Sequence, residues 1–144
     1  MKARLANQDW TQVAGVLLLA GAMAWALKLA VIISTDGRVI TTGAAAFLMK
    51  VGLVLLAVGS TGIGHRVSLQ RAVVVRVLAL LLSPAVGFGL FLLFAKVATP
   101  ILVNPLLAGH DIWYAQQEAP IALAVLFYLT LGLLLLKSCP AIRR

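Results

Sequence analysis

Four long apolar stretches follow one another along the chain, separated by shorter polar segments. They cover approximately residues 13–34, 42–64, 73–95 and 120–136. Each falls within the range of about 17–25 residues that a helix needs to cross a bilayer. The runs are continuous rather than alternating, which excludes the strands of a lipid-embedded barrel and leaves helices to satisfy the backbone in hydrocarbon. The pattern predicts a single all-α domain over residues 1–144, an integral membrane bundle of four transmembrane helices.

Composition and charge support this class of protein. The chain is 62% hydrophobic and 11% charged, whereas a soluble domain has about a quarter charged residues. Most of its basic residues flank the two termini and the second connection: Lys2, Arg4, Arg66, Arg71, Arg76, Lys137, Arg143 and Arg144. Because Lys and Arg in short loops set orientation, we expect both termini in the cytoplasm and the protein in a bacterial or organellar inner membrane or a plasma membrane. The basic charge indicates topology and not a nucleic-acid partner.

The connection between the third and fourth stretches differs from the other two. Residues 97–119 contain Pro100 and Pro105 among many apolar side chains. The segment is too apolar for a solvated loop and too interrupted for a fifth span. We predict a long outer loop that lies in the membrane interface, anchored by Trp113 and Tyr114, or dips back beside protein.

Two lysines, Lys28 and Lys50, lie within the first two stretches, and none of the four predicted spans contains an acidic residue. An ionised side chain at membrane depth is costly and indicates a function or a partner. Both lysines lie equally far from the first turn, and hence roughly 6 to 10 Å below the outer edge of the hydrocarbon. Three interpretations stay open: snorkelling to the interface, contact with a lipid phosphate or another subunit's carboxylate, and a site for a transported anion. Lys96 is a candidate third cation, and Trp25 a candidate cation–π partner.

Small residues recur at helical spacing in the first two spans. The stripe in the first span comprises Ala14, Gly21, Ala24 and Lys28, and that in the second comprises Gly43, Ala46, Lys50, Ala57, Thr61 and Gly64. Small residues let membrane helices approach closely, so both lysines are expected on contact faces. Short connections predict that the first three helices pack in sequence order, leaving the leucine-rich fourth to face lipid or a partner.

The third span contains Pro84, with Gly87 one turn later. Proline cannot donate to the carbonyl of Leu80, so a kink is expected. Pro84 and Gly87 are therefore hinge candidates, or the freed carbonyl lines a cavity. The alternative is an ordinary kink, because proline and glycine are frequent in membrane helices.

Motifs for catalysis or cofactor binding are not found in the sequence. His65 and His110 are assigned to opposite sides of the membrane, no metal-binding motif is present, and neither Thr61 nor Ser83 has a nearby base. Cys139 is expected to be a free thiol beside the membrane. We therefore predict no catalytic, metal or cofactor site, and expect that the protein is not an enzyme.

Small multidrug exporters share the chain length and the four spans, but they depend on a membrane-embedded glutamate that the predicted spans lack. The likeness is one of architecture. The leading hypothesis is a non-enzymatic accessory or structural subunit of a larger membrane complex, whose partners are membrane lipids and other subunits or a second copy. The alternative is a small homo-oligomeric transporter or channel for an anionic or amphipathic substrate.

Overall fold

The computed structural model describes residues 2–109 and 112–138, with the backbone alone for residues 2–9. His110 and Cys139, which the sequence analysis considered, lie outside the described residues. The helices are α1 (Lys2–Ser34), α2 (Gly43–Ser68), α3 (Val73–Ala98), α4 (Asn104–Leu107) and α5 (Trp113–Lys137). Within this part of the chain, four helical segments are long and apolar enough to cross a membrane. The predicted all-α bundle is thereby confirmed and is compatible with an integral membrane protein.

α1 is the central helix of the bundle. It packs along α2 on one side and α5 on the other, whereas α3 packs on α2 and touches α5 over a short distance. In the most apolar stretch of α1, 39% of the residues are buried, against 17% in that of α3. The predicted pairing of α1 with α2 and of α2 with α3 is confirmed. The expectation that the leucine-rich fourth span is the exposed one is wrong, because α5 packs on α1 and α3 is the peripheral helix.

Glycines allow the backbones of α1, α2 and α5 to approach closely. A Cβ added to Gly52 of α2 would overlap the indole ring of Trp25 in α1. Where α1 crosses α5, a Cβ on Gly15 would lie 3.3 Å from the carbonyl oxygen of Gly132, and one on Gly132 would lie 3.1 Å from that of Gly15. These crossings explain why α1 is central, since lipid gives no hydrophobic drive for helix association and close packing must supply it.

The predicted stripe of small residues is confirmed for α1 and wrong for most of α2. All four members of the α1 stripe are buried, whereas Gly43, Lys50 and Ala57 of the α2 stripe are exposed. The buried face of α2 instead includes Ala45, Gly52, Leu56 and Gly59. The prediction was made from the spacing of small residues alone. The face of α2 that contacts α1 is instead the one on which Gly52 and Gly59 make room for Trp25 and Leu18. Lys50 therefore does not project from the contact face.

Most of the described residues in the predicted long loop are helical. A π-helical turn, Thr99–Val103, continues α3 into α4. The backbone N–H of Asn104 bonds to the carbonyl of Thr99, and the Thr99 hydroxyl donates to the carbonyl of Ala95 at 2.7 Å. Pro100 lacks an N–H, and a locally widened turn accommodates such an interruption of the hydrogen-bond ladder.

α5 begins at Trp113, seven residues before the predicted start of the fourth span at residue 120. The prediction placed Pro120 in the first helical turn, but it lies inside the helix. Hydropathy missed the first two turns because Gln116, Gln117 and Glu118 are polar. As a result Glu118 belongs to a membrane-length helix, and the statement that no acidic residue lies in a span is wrong.

The end of α1 is fixed against the start of α5. The N–H of Gly37 donates to the carbonyl of Ile32 at 2.9 Å, and Asp36 and Gly37 have positive φ angles of 51° and 74°. Residues with positive φ directly after a helix commonly let their N–H groups bond to its last free carbonyls. A Cβ on Gly37 would collide with the rings of Trp113 and Tyr114. The first connection therefore packs on α5, and we call this side of the bundle the Trp113 end.

α3 is continuous through Pro84. The Ser83 hydroxyl donates to the carbonyl of Leu80 at 3.0 Å, which is the carbonyl that Pro84 cannot bond. Gly87 is buried, and a Cβ there would lie 3.5 Å from the hydroxyl oxygen of Ser60 in α2. The freed carbonyl is thus satisfied within the helix. The hinge role of Pro84 and Gly87 stays a prediction.

Candidate functional site

Lys28 and Glu118 form a buried ion pair between α1 and α5. The ammonium Nζ of Lys28 donates to Oε2 of Glu118, and the two residues are 4% and 6% exposed. Lys28 lies six residues before the end of α1, and Glu118 five residues after the start of α5. At about 1.5 Å per residue, both lie roughly 8 to 9 Å from the helix ends. The expectation that the lysines in the spans have no acid of their own is wrong for Lys28.

The pair explains why α5 packs on α1. Removing two charges from water costs several kcal/mol each, and their mutual attraction offsets this cost when the geometry is close. Lys28 and Glu118 are 90 residues apart in the chain. An arrangement of the helices that separated α1 from α5 would leave these two charges unpaired in an apolar region. The ion pair therefore favours the arrangement in which α5 packs on α1.

Trp25, one turn before Lys28 in α1, contacts both α2 and α5. Its indole Nε1 donates to the carbonyl oxygen of Met49 in α2 at 3.1 Å. Its ring meets that of Tyr128 in α5 edge-on, with the centroids 6.5 Å apart. The structure thus uses Trp25, predicted as a cation–π partner, for helix packing around the ion pair.

Aromatic side chains join α3 to α5. The Phe91 ring lies 5.9 Å from that of Phe127 and 6.2 Å from that of Tyr128, and the rings of Phe94 and Phe127 are 5.6 Å apart. Offset and tilted aromatic pairs at such distances contribute about 0.5–1.5 kcal/mol beyond their area. This cluster accounts for the limited contact between α3 and α5.

Lys50 and Lys96 are placed differently from Lys28. Both are exposed, Lys50 as the eighth residue of α2 and Lys96 near the end of α3. Lys28, by contrast, is buried, and its ammonium is bound by Glu118. Whether the exposed lysines bind an anion or a lipid stays a prediction.

An apolar cavity of about 480 Å³ lies at the Trp113 end, between α1, the π-helical turn with α4, and α5. Its lining consists of Leu29, Ile32, Ile33, Leu102, Val103, Leu106, Leu107, Tyr114, Ala115, Glu118, Ala119, Ala122, Leu123 and Leu126. Binding sites for small molecules have volumes of about 300–1,000 Å³ and mostly apolar walls with a few polar groups. The cavity has these properties, and its polar side chains are the phenol of Tyr114 and the carboxylate of Glu118. Sequence reasoning missed it because its walls include residues that were predicted to be loop.

A second polar contact lies at the other end of the bundle. Arg76 Nη2 of α3 lies 3.2 Å from Nδ1 of His65, which is buried in α2. The hydroxyl of Ser68 donates to the carbonyl of Gly64 at 2.6 Å. These contacts fix the tight connection between α2 and α3.

Comparison of the chain with protein-family models, with curated proteins and with solved structures found no match. Its function must therefore be argued from its own geometry. The features that bear on function are the Lys28–Glu118 pair, the cavity beside it and the exposed Lys50.

Proposed function

We propose that this protein is a non-enzymatic accessory or structural subunit of a larger membrane complex. The observation that supports this most is the position of Lys50. It lies about 10 Å along α2 from the helix start, exposed on a surface that also presents Phe47, Leu53 and Val54. A lysine at membrane depth requires an anionic group nearby or must reach the interface. A carboxylate from another chain meets that requirement.

The peripheral position of α3 also supports the proposal. Its leucine and valine side chains are exposed along most of its length, and it is held chiefly by α2. A partner helix can pack against the exposed face of α3 without displacing its contacts with α2 and α5. Lys28 and Glu118, by contrast, satisfy each other, so they act in the internal structure of the subunit.

The test is the size of the assembly that contains the protein after mild-detergent extraction from its own membrane. We expect the unaltered chain in an assembly larger than a monomer, and Lys50→Met to release it, because the ion pair with the partner is lost. Lys137→Met is the matched control. Lys137 is exposed at the end of α5, outside the apolar stretches, so this variant should leave the assembly intact. A monomeric unaltered chain, or an assembly unaffected by Lys50→Met, would contradict the proposal.

A second candidate is a small oligomeric transporter for an anionic or amphipathic substrate, since the apolar cavity has room for the hydrocarbon part of an amphipath. In reconstituted vesicles, Lys28→Ala and Lys50→Ala should abolish the flux of a fluorescent amphipathic anion. Because Lys28→Ala leaves Glu118 unpaired, the double variant Lys28→Met with Glu118→Leu is needed as a folded control that also lacks the ammonium. Unchanged flux in the folded variants would exclude this candidate.

A further inference from the structure

The cavity at the Trp113 end is suited to a hydrocarbon chain. Leu102 and Leu106 form one wall, Ile33 of α1 another, and Leu126 of α5 a third. Water occupies a cavity when several polar groups bind it, and these walls offer few such groups. In a membrane-length bundle, apolar material is the favoured occupant of a cavity with this lining.

Glu118 adds one hydrogen-bond acceptor to this apolar space. Its Oε2 accepts from Lys28, whereas Oε1 accepts no hydrogen bond from any residue that the structure describes. Every fully buried side-chain oxygen among those residues has a hydrogen-bond partner. Because Oε1 has none, it is not fully buried and retains accessible surface. Glu118 is also one of the residues that line the cavity.

The charge balance of the site selects the headgroup. The Lys28–Glu118 pair has no net charge, so an anionic headgroup gains no net attraction and would lie against the negative Oε1. A cationic headgroup would compete with Lys28 for the carboxylate. A neutral group that donates a hydrogen bond gains the charge-assisted bond without disturbing the pair. We propose that the cavity binds one neutral amphipath, with its hydrocarbon chain among Leu102, Leu106 and Leu126 and its hydroxyl donating to Oε1 of Glu118. This binding site goes beyond the proposed subunit role and does not depend on it.

The probe is a long-chain alcohol with a photoactivatable diazirine on its hydrocarbon chain. It is added to the full-length protein in vesicles of phosphatidylcholine, because the headgroup of this lipid has no hydrogen-bond donor. Labelling should saturate, and peptide analysis should locate it on α4 and α5. The unlabelled alcohol should displace the probe, and its methyl ether, which has the same chain but no donor, should compete about tenfold more weakly. Labelling that rises linearly without saturation, or equal competition by the ether, would overturn the proposal.

A pair of variants tests the location. Ala122 lines the cavity, and Ala122→Trp should fill it and reduce labelling at least tenfold. Ala85 is exposed on α3, so Ala85→Trp adds the same ring elsewhere and should leave labelling unchanged. Undiminished labelling of folded Ala122→Trp would contradict the assignment. If Ala122→Trp loses its helical circular dichroism, the comparison of alcohol and ether on the unaltered chain decides.

Discussion

α1 and α3 are both long, apolar helices, yet one is the centre of the bundle and the other its periphery. α1 has glycines at its crossings with α2 and α5, and Lys28 faces an acid across the second crossing. α3 makes such a close approach to α2 alone, where a Cβ on Gly64 would overlap the carbonyl of Ala79, and a Cβ on its Gly89 would meet none of the described residues within 4 Å. The difference shows that apolarity does not decide which helix is buried in a membrane bundle. Close backbone approach and a matched pair of charges decide it.

The same contrast separates the lysines. Lys28 is buried on the central helix and paired with Glu118, while Lys50 is exposed on α2. Lys28 is thus a structural element of this chain, whereas Lys50 is available to a neighbour.

Glu118→Leu should have the largest effect, because it leaves the ammonium of Lys28 buried without its partner. We expect a loss of about 3–5 kcal/mol in the free energy of unfolding, the usual cost of breaking a buried pair. Lys50→Met should change it by no more than about 0.5 kcal/mol, as expected for an exposed position. Titration with SDS in mixed micelles measures both values. Equal losses would abolish the distinction between the two lysines.

Gly52→Ala should also lower the free energy of unfolding, because the added methyl group overlaps the Trp25 ring at the crossing of α1 and α2. Overpacking of this kind costs about 1–3 kcal/mol. Gly89→Ala on α3 is the matched control, and there the better helix propensity of alanine should stabilise by up to about 1 kcal/mol. The free energy of unfolding should therefore fall for Gly52→Ala, at a contact with the central helix α1, and rise for Gly89→Ala on the peripheral helix α3. A neutral Gly52→Ala would mean that α1 and α2 are not in close contact.

Gly37→Ala and Gly43→Ala test how the Trp113 end is built. Both glycines have positive φ, so each substitution costs about 1–2 kcal/mol in backbone strain. Gly37→Ala should cost about 1 kcal/mol more, because its Cβ would meet Trp113 and Tyr114, whereas nothing lies near that of Gly43. The two free energies of unfolding, with Trp113 fluorescence as a local probe, measure this. Equal costs would show that the first connection does not pack on α5.

Leu93→Ala should have the smallest effect. Its side chain is 64% exposed on α3, so truncation leaves the internal packing unchanged and should alter the free energy of unfolding by about 0.5 kcal/mol or less. A loss above about 1 kcal/mol in the purified protein would reveal that this face of α3 packs against another copy of the chain.

The fold was predictable where the signal is local. Continuous apolar runs identify four membrane-length helices, and short connections identify the neighbours of α2. Hydropathy could not predict that α5 packs on α1 while α3 is peripheral, because the most apolar stretches of the two segments have the same mean hydropathy of 2.4. This arrangement depends on contacts between distant positions, such as Gly15 with Gly132.

The site was half predictable. Lys28 stood out because lysine is costly at membrane depth. Glu118 did not, because its polar neighbours Gln116 and Gln117 made the first turns of α5 resemble a loop. One available signal was Lys28 itself, since a lysine in a span must find an anionic partner or reach the interface, and this chain has four acidic residues.

The central claim is that the Lys28–Glu118 pair holds α5 on α1, and a double-mutant cycle tests it most directly. The free energy of unfolding is measured for the unaltered chain, Lys28→Met, Glu118→Leu and the double variant. The pair predicts two large single losses and a double variant within about 1 kcal/mol of the unaltered chain, because matched apolar replacements leave no charge unpaired. The coupling energy should then be at least about 2 kcal/mol. Additive losses, with the double variant least stable of all, would contradict the account.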